Sequence, residues 1–294
     1  MASPFFIIEG GIIMKIFAAL VLSLFISGSA FADGISYKHI RNATARIEYA
    51  GSVFLVDPFL AEKGAYPGFQ NTPYPEKRIP LIDMAEPASE VIKGIDAVIL
   101  THTHSDHWDE AAQKILPKDI PFFVQNAGDA RTVREQGFKN VMVVGKNTPF
   151  KNVRISRTGG QHGPDALYAV PAMAEVAGDA MGFVLQSEGV KTLYVVGDTI
   201  WMPYVDVALE TYKPEITVMN TGYAVLSGFE GSLIMGKDDI LHMYKAMPSA
   251  KIIAVHMDAV NHTMTSSEEV REFVKAHSLN DRVYVPREGE TLKF

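Results

Sequence analysis

The residues from Thr101 to Asp109 hold the chain's densest chemistry: Thr101-His102-Thr103-His104-Ser105-Asp106-His107-Trp108-Asp109. Packing does not explain three histidines and an acid placed so closely. A buried imidazole needs hydrogen-bond partners, and clustered imidazoles repel one another once protonated. Neutral imidazoles are, however, the commonest zinc ligands, and a carboxylate beside them suits the same ion. In a loop that follows a strand, His102 and His104 can point one way while Asp106 and His107 turn toward a neighbouring position. One loop can therefore feed two metals.

Four ligands are too few for two ions that each keep an open position, so further donors must come from elsewhere. Three residues stand out, each at the end of an expected strand. His162 lies in Thr158-Gly159-Gly160-Gln161-His162-Gly163, where glycines permit a backbone that exposes the ring. Asp198 follows Tyr194-Val195-Val196-Gly197, and His256 follows Ile252-Ile253-Ala254-Val255. An unpaired carboxylate at the end of a buried strand is costly, whereas bridging two cations offsets its desolvation. His262, six residues beyond His256, competes for the metal or contacts substrate, and strand-end placement favours His256 as the ligand. Trp201, Met202 and Tyr204 are candidate walls of an apolar pocket, and Tyr66, Pro67 and Phe69 candidate lid residues. Trp108 is expected to pack, and His39, His242 and His277 are expected on the surface.

These residues need a scaffold. Ala45 to Glu48 and Val53 to Asp57 flank Tyr49-Ala50-Gly51-Ser52 and read as a hairpin. Ala61 to Met84, rich in proline, glycine and aromatics, reads as a long surface loop. Strands are expected at Ala97 to Leu100, Pro121 to Gln125, Val141 to Val144, Val153 to Arg157, Gly182 to Gln186, Thr192 to Val196, Ile216 to Met219 and Ile252 to Val255. Helices are expected near Asp129 to Gln136, Val205 to Tyr212, Asp238 to Ala246 and Ser266 to His277, the last opening on a Thr265-x-x-Glu268 capping box. Hairpins followed by strand–helix alternation suggest two packed sheets with helices outside.

With 47% apolar and 21% charged residues among 294, the chain can bury a large core and is not disordered. A net charge of −7 without basic–aromatic runs argues against nucleic acid and for a small-molecule substrate. Met14-Lys15, the apolar run Ile16 to Ile26, and Ser29-Ala30-Phe31-Ala32 read as a signal peptide cut after Ala32, with Met1 to Ile13 an upstream extension; the alternative is an uncleaved membrane anchor, since Gly11 to Ala32 is just long enough to span a bilayer. Residues 1–32 are then a leader and 33–294 a single domain, periplasmic or secreted, with no stable membrane association after cleavage. Cysteine is absent, so a metal site must rest on histidine and carboxylate.

The order His-x-His-x-Asp-His, Gly-Gln-His-Gly, Gly-Asp-Thr and a strand-ending histidine resembles the metallo-β-lactamase superfamily across nearly all of 33–294. The resemblance implies a four-layer αββα sandwich, two mixed β-sheets flanked by helices, with the site at the sheet edges. It implies that His102, His104 and His162 hold one metal, that Asp106, His107 and His256 hold a second, and that Asp198 bridges. Asp57, in Leu55-Val56-Asp57-Pro58, matches an aspartate that props the histidine loop. The motifs look most like the branch of ascorbate-6-phosphate lactonases and N-acyl-phosphatidylethanolamine phospholipases. Lactamases with a cysteine ligand, nucleases with an inserted domain, and flavodiiron proteins with glutamate at the position of His104 fit less well. Two divalent ions, zinc before manganese or iron, would activate water to attack an ester, lactone, amide or phosphodiester. Asp106 would also shuttle a proton. A non-catalytic metal protein and an iron-dependent oxygenase are the alternatives, separated by metal content and oxygen uptake.

Overall fold

The computed structural model describes residues 34–294, so the expected leader and its cleavage point lie outside the described residues. Strands are numbered in chain order. One sheet runs β14 (Thr291–Lys293), β1 (Ser36–Arg41), β2 (Thr44–Tyr49), β3 (Ser52–Val56), β4 (Ala97–Ile99), β5 (Phe122–Val124) and β6 (Val141–Val143). The other runs β13 (Val283–Tyr284), β12 (Lys251–Val255), β11 (Ile216–Asn220), β10 (Val190–Val195), β9 (Gly182–Ser187), β8 (Val153–Thr158) and β7 (Thr148–Phe150). Each sheet begins with antiparallel hairpins and ends in a parallel ladder, β3 to β6 in the first and β10 to β13 in the second. Parallel neighbours need crossovers, and the expected strand–helix alternation supplies them.

The central strands alternate between two cores rather than between core and water. Leu193 and Val195 face the opposite sheet with Ile47, Phe54, Phe183 and Val218. Tyr194 and Val196 face outward onto helices α6 (Pro203–Tyr212), α7 (Lys237–Ala246) and α8 (Ser267–Ala276). On the first sheet, Leu55, Val98 and Phe122 meet α1 (Ala88–Val91), α2 (Glu110–Ile115) and α3 (Ala127–Glu135). Strands covered on both faces read as continuous apolar runs, which is why β4, β11 and β12 stood out in sequence. Each fully buried large side chain contributes about 1.5–3 kcal/mol. These layers are the expected αββα sandwich. Two further short helices, α4 (Asp165–Tyr168) and α5 (Pro171–Ala177), sit between β8 and β9.

Three details differ from expectation. The capping box of α8 starts one residue later: Ser266 Oγ accepts from Glu269 N, and Glu269 Oε2 accepts from Ser266 N. Thr265 is tied instead through its own N–H to Gly222 O, before the helix begins. His39, expected on the surface, is 5% exposed. It lies on β1 between two paired strands, in a sheet covered on its second face, which a local pattern cannot reveal. The strands β7, β13 and β14, two or three residues long, also carry no periodicity long enough to read, and the six residues of β1 place their apolar side chains, Tyr37 and Ile40, without alternation. Trp108 packs as expected, its ring against Phe122 and Phe138 and its Nε1 donating to Gln136 Oε1.

Candidate metal centre

The parallel ladders bring their carboxyl ends to one edge, the usual place for ligands in such sheets. Asp57 follows β3, the Thr101–Asp109 loop follows β4, Asp198 follows β10, and His256 follows β12. His162 lies just past β8. Asp109 closes the histidine loop as the N-cap of α2: its Oδ1 accepts from Ala112 N, and its Oδ2 from Leu60 N and Ala61 N. Asp57 and His256 adopt left-handed backbone at φ 44° and 66°. That conformation costs about 1–2 kcal/mol in a non-glycine residue, and such strain collects where geometry is dictated by function. Gly222 makes room for the turn at His256, because a Cβ there would lie 2.1 Å from His256 O. Gly160 likewise lets the His162 segment pass Ala180 O, 2.6 Å from where a Cβ would sit.

The seven expected donors converge. Three sets, His102/His104/His162, His102/His107/Asp198 and Asp106/His107/His256, each hold their ligand atoms within 4.8 Å of one another. His102 Nε2 and His104 Nδ1 are 3.0 Å apart, as are His107 Nε2 and His256 Nε2. Asp198 Oδ2 lies 3.2, 3.5 and 3.6 Å from His107, His256 and His162 Nε2, so it touches both clusters. Two atoms bound at ~2.0–2.1 Å to one tetrahedral ion stand about 3.3 Å apart, and the observed spacings straddle that value.

The charges also fit a cation. Asp106 and Asp198 are each 3% exposed. Among the described residues their ion-pair partners are histidines, with no lysine or arginine in reach. Burial opposes the charge of both carboxylates, yet the surrounding imidazoles hold them well below the usual carboxylate range. Burial and the neighbouring imidazoles of His107 and His104 keep His102 neutral. Burial brings His162 down to about 4, against the pull of Asp198. His107 is the exception: burial disfavours its charge, but Asp198, Asp106 and Asp57 lift it well above the ordinary value. Neutral rings with free lone pairs beside two deprotonated carboxylates form a donor set for divalent ions.

A surrounding layer fixes the donors. Asp57 Oδ2 accepts from His107 Nδ1 at 2.9 Å and from Thr101 Oγ1 at 2.8 Å, and Oδ1 accepts from Thr101 N at 2.7 Å. The expected propping role of Asp57 is thus visible as geometry. His162 Nδ1 donates to Leu233 O and His104 Nε2 to Val176 O, each turning the other nitrogen inward. Two contributors escaped the sequence reading. Asn220 Nδ2 donates to Asp198 Oδ1, and Asn42 Nδ2 lies 3.1 Å from Asp106 O and 3.4 Å from its Oδ2. Asn220 ends β11 just as the metal donors end their strands, so the strand-end rule reaches it once the strand is extended by one residue. Asn42 sits in a tight turn with φ 57°, and nothing in its local sequence links it to the histidines.

The centre opens into a cleft of about 690 Å³, including its solvent-open part. Phe69, Leu167, Met173, Val176, Leu226 and Leu233 give it apolar walls, and His104, Asp106 and His162 line it beside them. Phe69 therefore lines the site, whereas Tyr66 and Pro67 line a separate cleft on the far side of the histidine loop. The expected wall of Trp201, Met202 and Tyr204 is not there. Pro203 starts α6 and carries the segment outward, where Trp201 stacks on His242 at 3.9 Å and Tyr204 is 54% exposed. His262 is part of the cleft wall and lies outside the three donor sets, which include His256. His242 and His277 are exposed, as expected.

Residues 54–257 match the model of the β-lactamase superfamily domain. The chain is 42% identical over 255 residues to the UPF0173 protein YddR of Bacillus subtilis, covering 87% of this chain and 98% of that one. A possible metal-dependent hydrolase from Veillonella parvula has a solved structure with TM-score 0.86 and 45% identity, covering 87% and 98% of the two chains. An isothiocyanate hydrolase from Delia radicum gut bacteria superposes with TM-score 0.85 and 43% identity, covering 88% and 99%. The chain belongs to the β-lactamase superfamily and, within it, to the UPF0173 family of metal-dependent hydrolases.

Proposed function

We propose that this chain is a dinuclear metallohydrolase for small, uncharged substrates with an apolar tail, and that isothiocyanates are its substrate class. The observation that carries the reading is the pair of donor clusters sharing Asp198 at the floor of an apolar cleft. The solved relative named an isothiocyanate hydrolase supports the choice of substrate. Among the described residues that line the cleft none is lysine or arginine, which disfavours a phosphodiester among the targets first expected.

His102, His104 and His162 would hold one ion, Asp106, His107 and His256 the other, and Asp198 both. Bound there, divalent ions, with zinc as the first choice, would lower the pKa of water from about 15.7 to about 7. The chain's own residues do the rest. Asp106 Oδ1, the oxygen left free when Oδ2 faces the histidine donors, accepts the proton that water gives up, and Asn42 Nδ2 keeps the residue in place. Asp57 holds the His107 ring, and Asn220 holds Asp198, so neither donor reorganises during the reaction. The walls from Phe69 to Met173 bind the tail and exclude bulk water. Water oxygen bonds to the central carbon of R–N=C=S and its proton ends on nitrogen, giving a thiocarbamic acid. Cleavage of the C–N bond then releases R–NH2 and carbonyl sulfide.

Protein loaded separately with zinc, manganese or iron, and offered alkyl and aryl isothiocyanates, lactones and esters, tests the proposal against the His104→Ala variant. Expected are amine and carbonyl sulfide in equal amounts, two metal equivalents per chain, and no activity in the variant. Equal turnover by metal-free protein would refute the metal reading, and inert isothiocyanates beside a hydrolysed lactone would refute the substrate. We further propose export, supported by the apolar run ending in Ser29-Ala30-Phe31-Ala32. N-terminal sequencing of protein from an exporting host should begin at Asp33.

A further inference from the structure

His262 shares the cleft with His104, Asp106 and His162, yet no donor set includes it. It is 8% exposed and lies edge-on to the Phe69 ring, with centroids 4.8 Å apart and an interplanar angle of 86°. The backbone around it is pinned. Its carbonyl accepts from Val225 N at 2.9 Å, Asn261 beside it is bonded through its side chain to Phe69, and Thr263 bridges Ala224. Its two ring nitrogens differ sharply. Nδ1 is sealed with no hydrogen-bond partner. Nε2 is neither sealed nor bonded among the described residues, and the cleft is where the residue is accessible.

That asymmetry settles the tautomer. Burial brings the ring's pKa down to about 4, against the pull of Asp106, so the imidazole is neutral and carries one N–H. A sealed N–H without an acceptor costs about 1–3 kcal/mol, and orphaned donors are rarer in proteins than orphaned acceptors. The proton therefore sits on Nε2. A rigid N–H thus projects into a mostly apolar cleft beside the metal donors, and none of the described residues accepts from it. Such a preorganised donor is suited to a charge that appears only during reaction.

We propose that His262 is a catalytic residue whose Nε2–H donates to the substrate heteroatom that gains negative charge as water adds. This role rests on the hydrolase reading above. For an isothiocyanate the acceptor is nitrogen, which carries the apolar tail and so lies toward the Phe69 wall that His262 packs against. As the O–C bond forms, the C=N π pair moves onto nitrogen and accepts the hydrogen bond. Nitrogen then takes the proton released by water, so His262 neither gains nor loses one over the cycle.

The test uses zinc-loaded parent, His262→Phe and His262→Gln. Phenylalanine keeps the ring edge against Phe69 without a donor, and glutamine restores a neutral donor. Both variants should keep the parent's metal content. His262→Phe should lose about 10²-fold in kcat/KM, chiefly in kcat, as removing one preorganised donor does elsewhere. His262→Gln should recover about tenfold of that loss. Nitrogen-15 NMR of histidine-labelled parent, assigned by the signal missing from His262→Phe, should show the Nε2–H tautomer from pH 6 to 8. Parent-like kcat/KM in His262→Phe, lost metal in that variant, or an Nδ1–H tautomer would each overturn the proposal. If isothiocyanates are inert but a lactone is turned over, the substrate reading fails, and the same comparison on the lactone still decides the role of His262. A parent inactive on every substrate overturns both.

Discussion

Replacing Asn261 by alanine tests whether the long loop is a built wall of the cleft. Asn261 is 1% exposed. Its Oδ1 accepts from Phe69 N at 3.0 Å, and its Nδ2 reaches Phe69 O at 3.0 Å, Thr72 Oγ1 at 2.8 Å and Tyr74 O at 3.0 Å. An amide has two protons for these three acceptors, so the side chain makes about three full hydrogen bonds. At about 1 kcal/mol each they hold the loop by about 3 kcal/mol. Ser227 N to Asn71 O and Leu81 N to Ala259 O remain after the change, so the loop should open locally while the sheets stay folded. At 1.4 kcal/mol per factor of ten, 3 kcal/mol corresponds to about 10²-fold faster exchange of the Phe69 amide. Hydrogen exchange, read with limited proteolysis across 69–74, measures this directly. KM should rise because Phe69, Gln70 and Thr72 line the cleft. Tm should fall by no more than the ~6–12 °C that the same energy would cause if lost globally. A Phe69 amide exchanging within threefold of the parent would refute the reasoning.

Three further outcomes are expected. Asp57→Asn replaces one of two accepting oxygens with a donor facing Thr101 or His107, so metal affinity should drop about 10–100-fold in competition with a chelator, and unchanged affinity would contradict the propping role. His39 has its pKa lowered to about 4 by burial, then by Arg271 and His256. From about pH 6.5 down to 4 the unfolded chain binds this proton and the folded one does not, so stability falls as pH falls, by about 3 kcal/mol in full. His39→Leu should remove that much of the parent's acid destabilisation in parallel denaturant titrations, and identical pH slopes would refute the account. Chelation should lower Tm reversibly, because buried Asp106 and Asp198 would be left without a bound metal to balance them, with about 4 kcal/mol at stake when free metal exceeds Kd a thousandfold. Equal melting with and without metal would count against the centre.

The sequence by itself determined the chemistry and the layers. His102, His104, Asp106 and His107 announce a metal site because no packing requirement places those side chains so closely, and the apolar runs of β4, β10, β11 and β12 announce strands covered on both faces. Strand-end logic reached His162, Asp198 and His256 for the same reason: a polar group at the end of a buried strand needs a partner, while Asp57 came only through the family resemblance. Tertiary structure decided what depends on distant neighbours. Asn42 joins Asp106 across a separation of 64 residues, and His39 is buried by elements its own strand cannot foretell. Trp201 and Tyr204 carry the composition of a pocket wall, but the turn into α6 points them away. Which nitrogen of His262 is sealed, and which faces the cleft, follows from how Phe69 and the chain from Val225 to Thr263 close around the ring. Residue type limits what a group can do, and only the assembled fold decides what stands next to it.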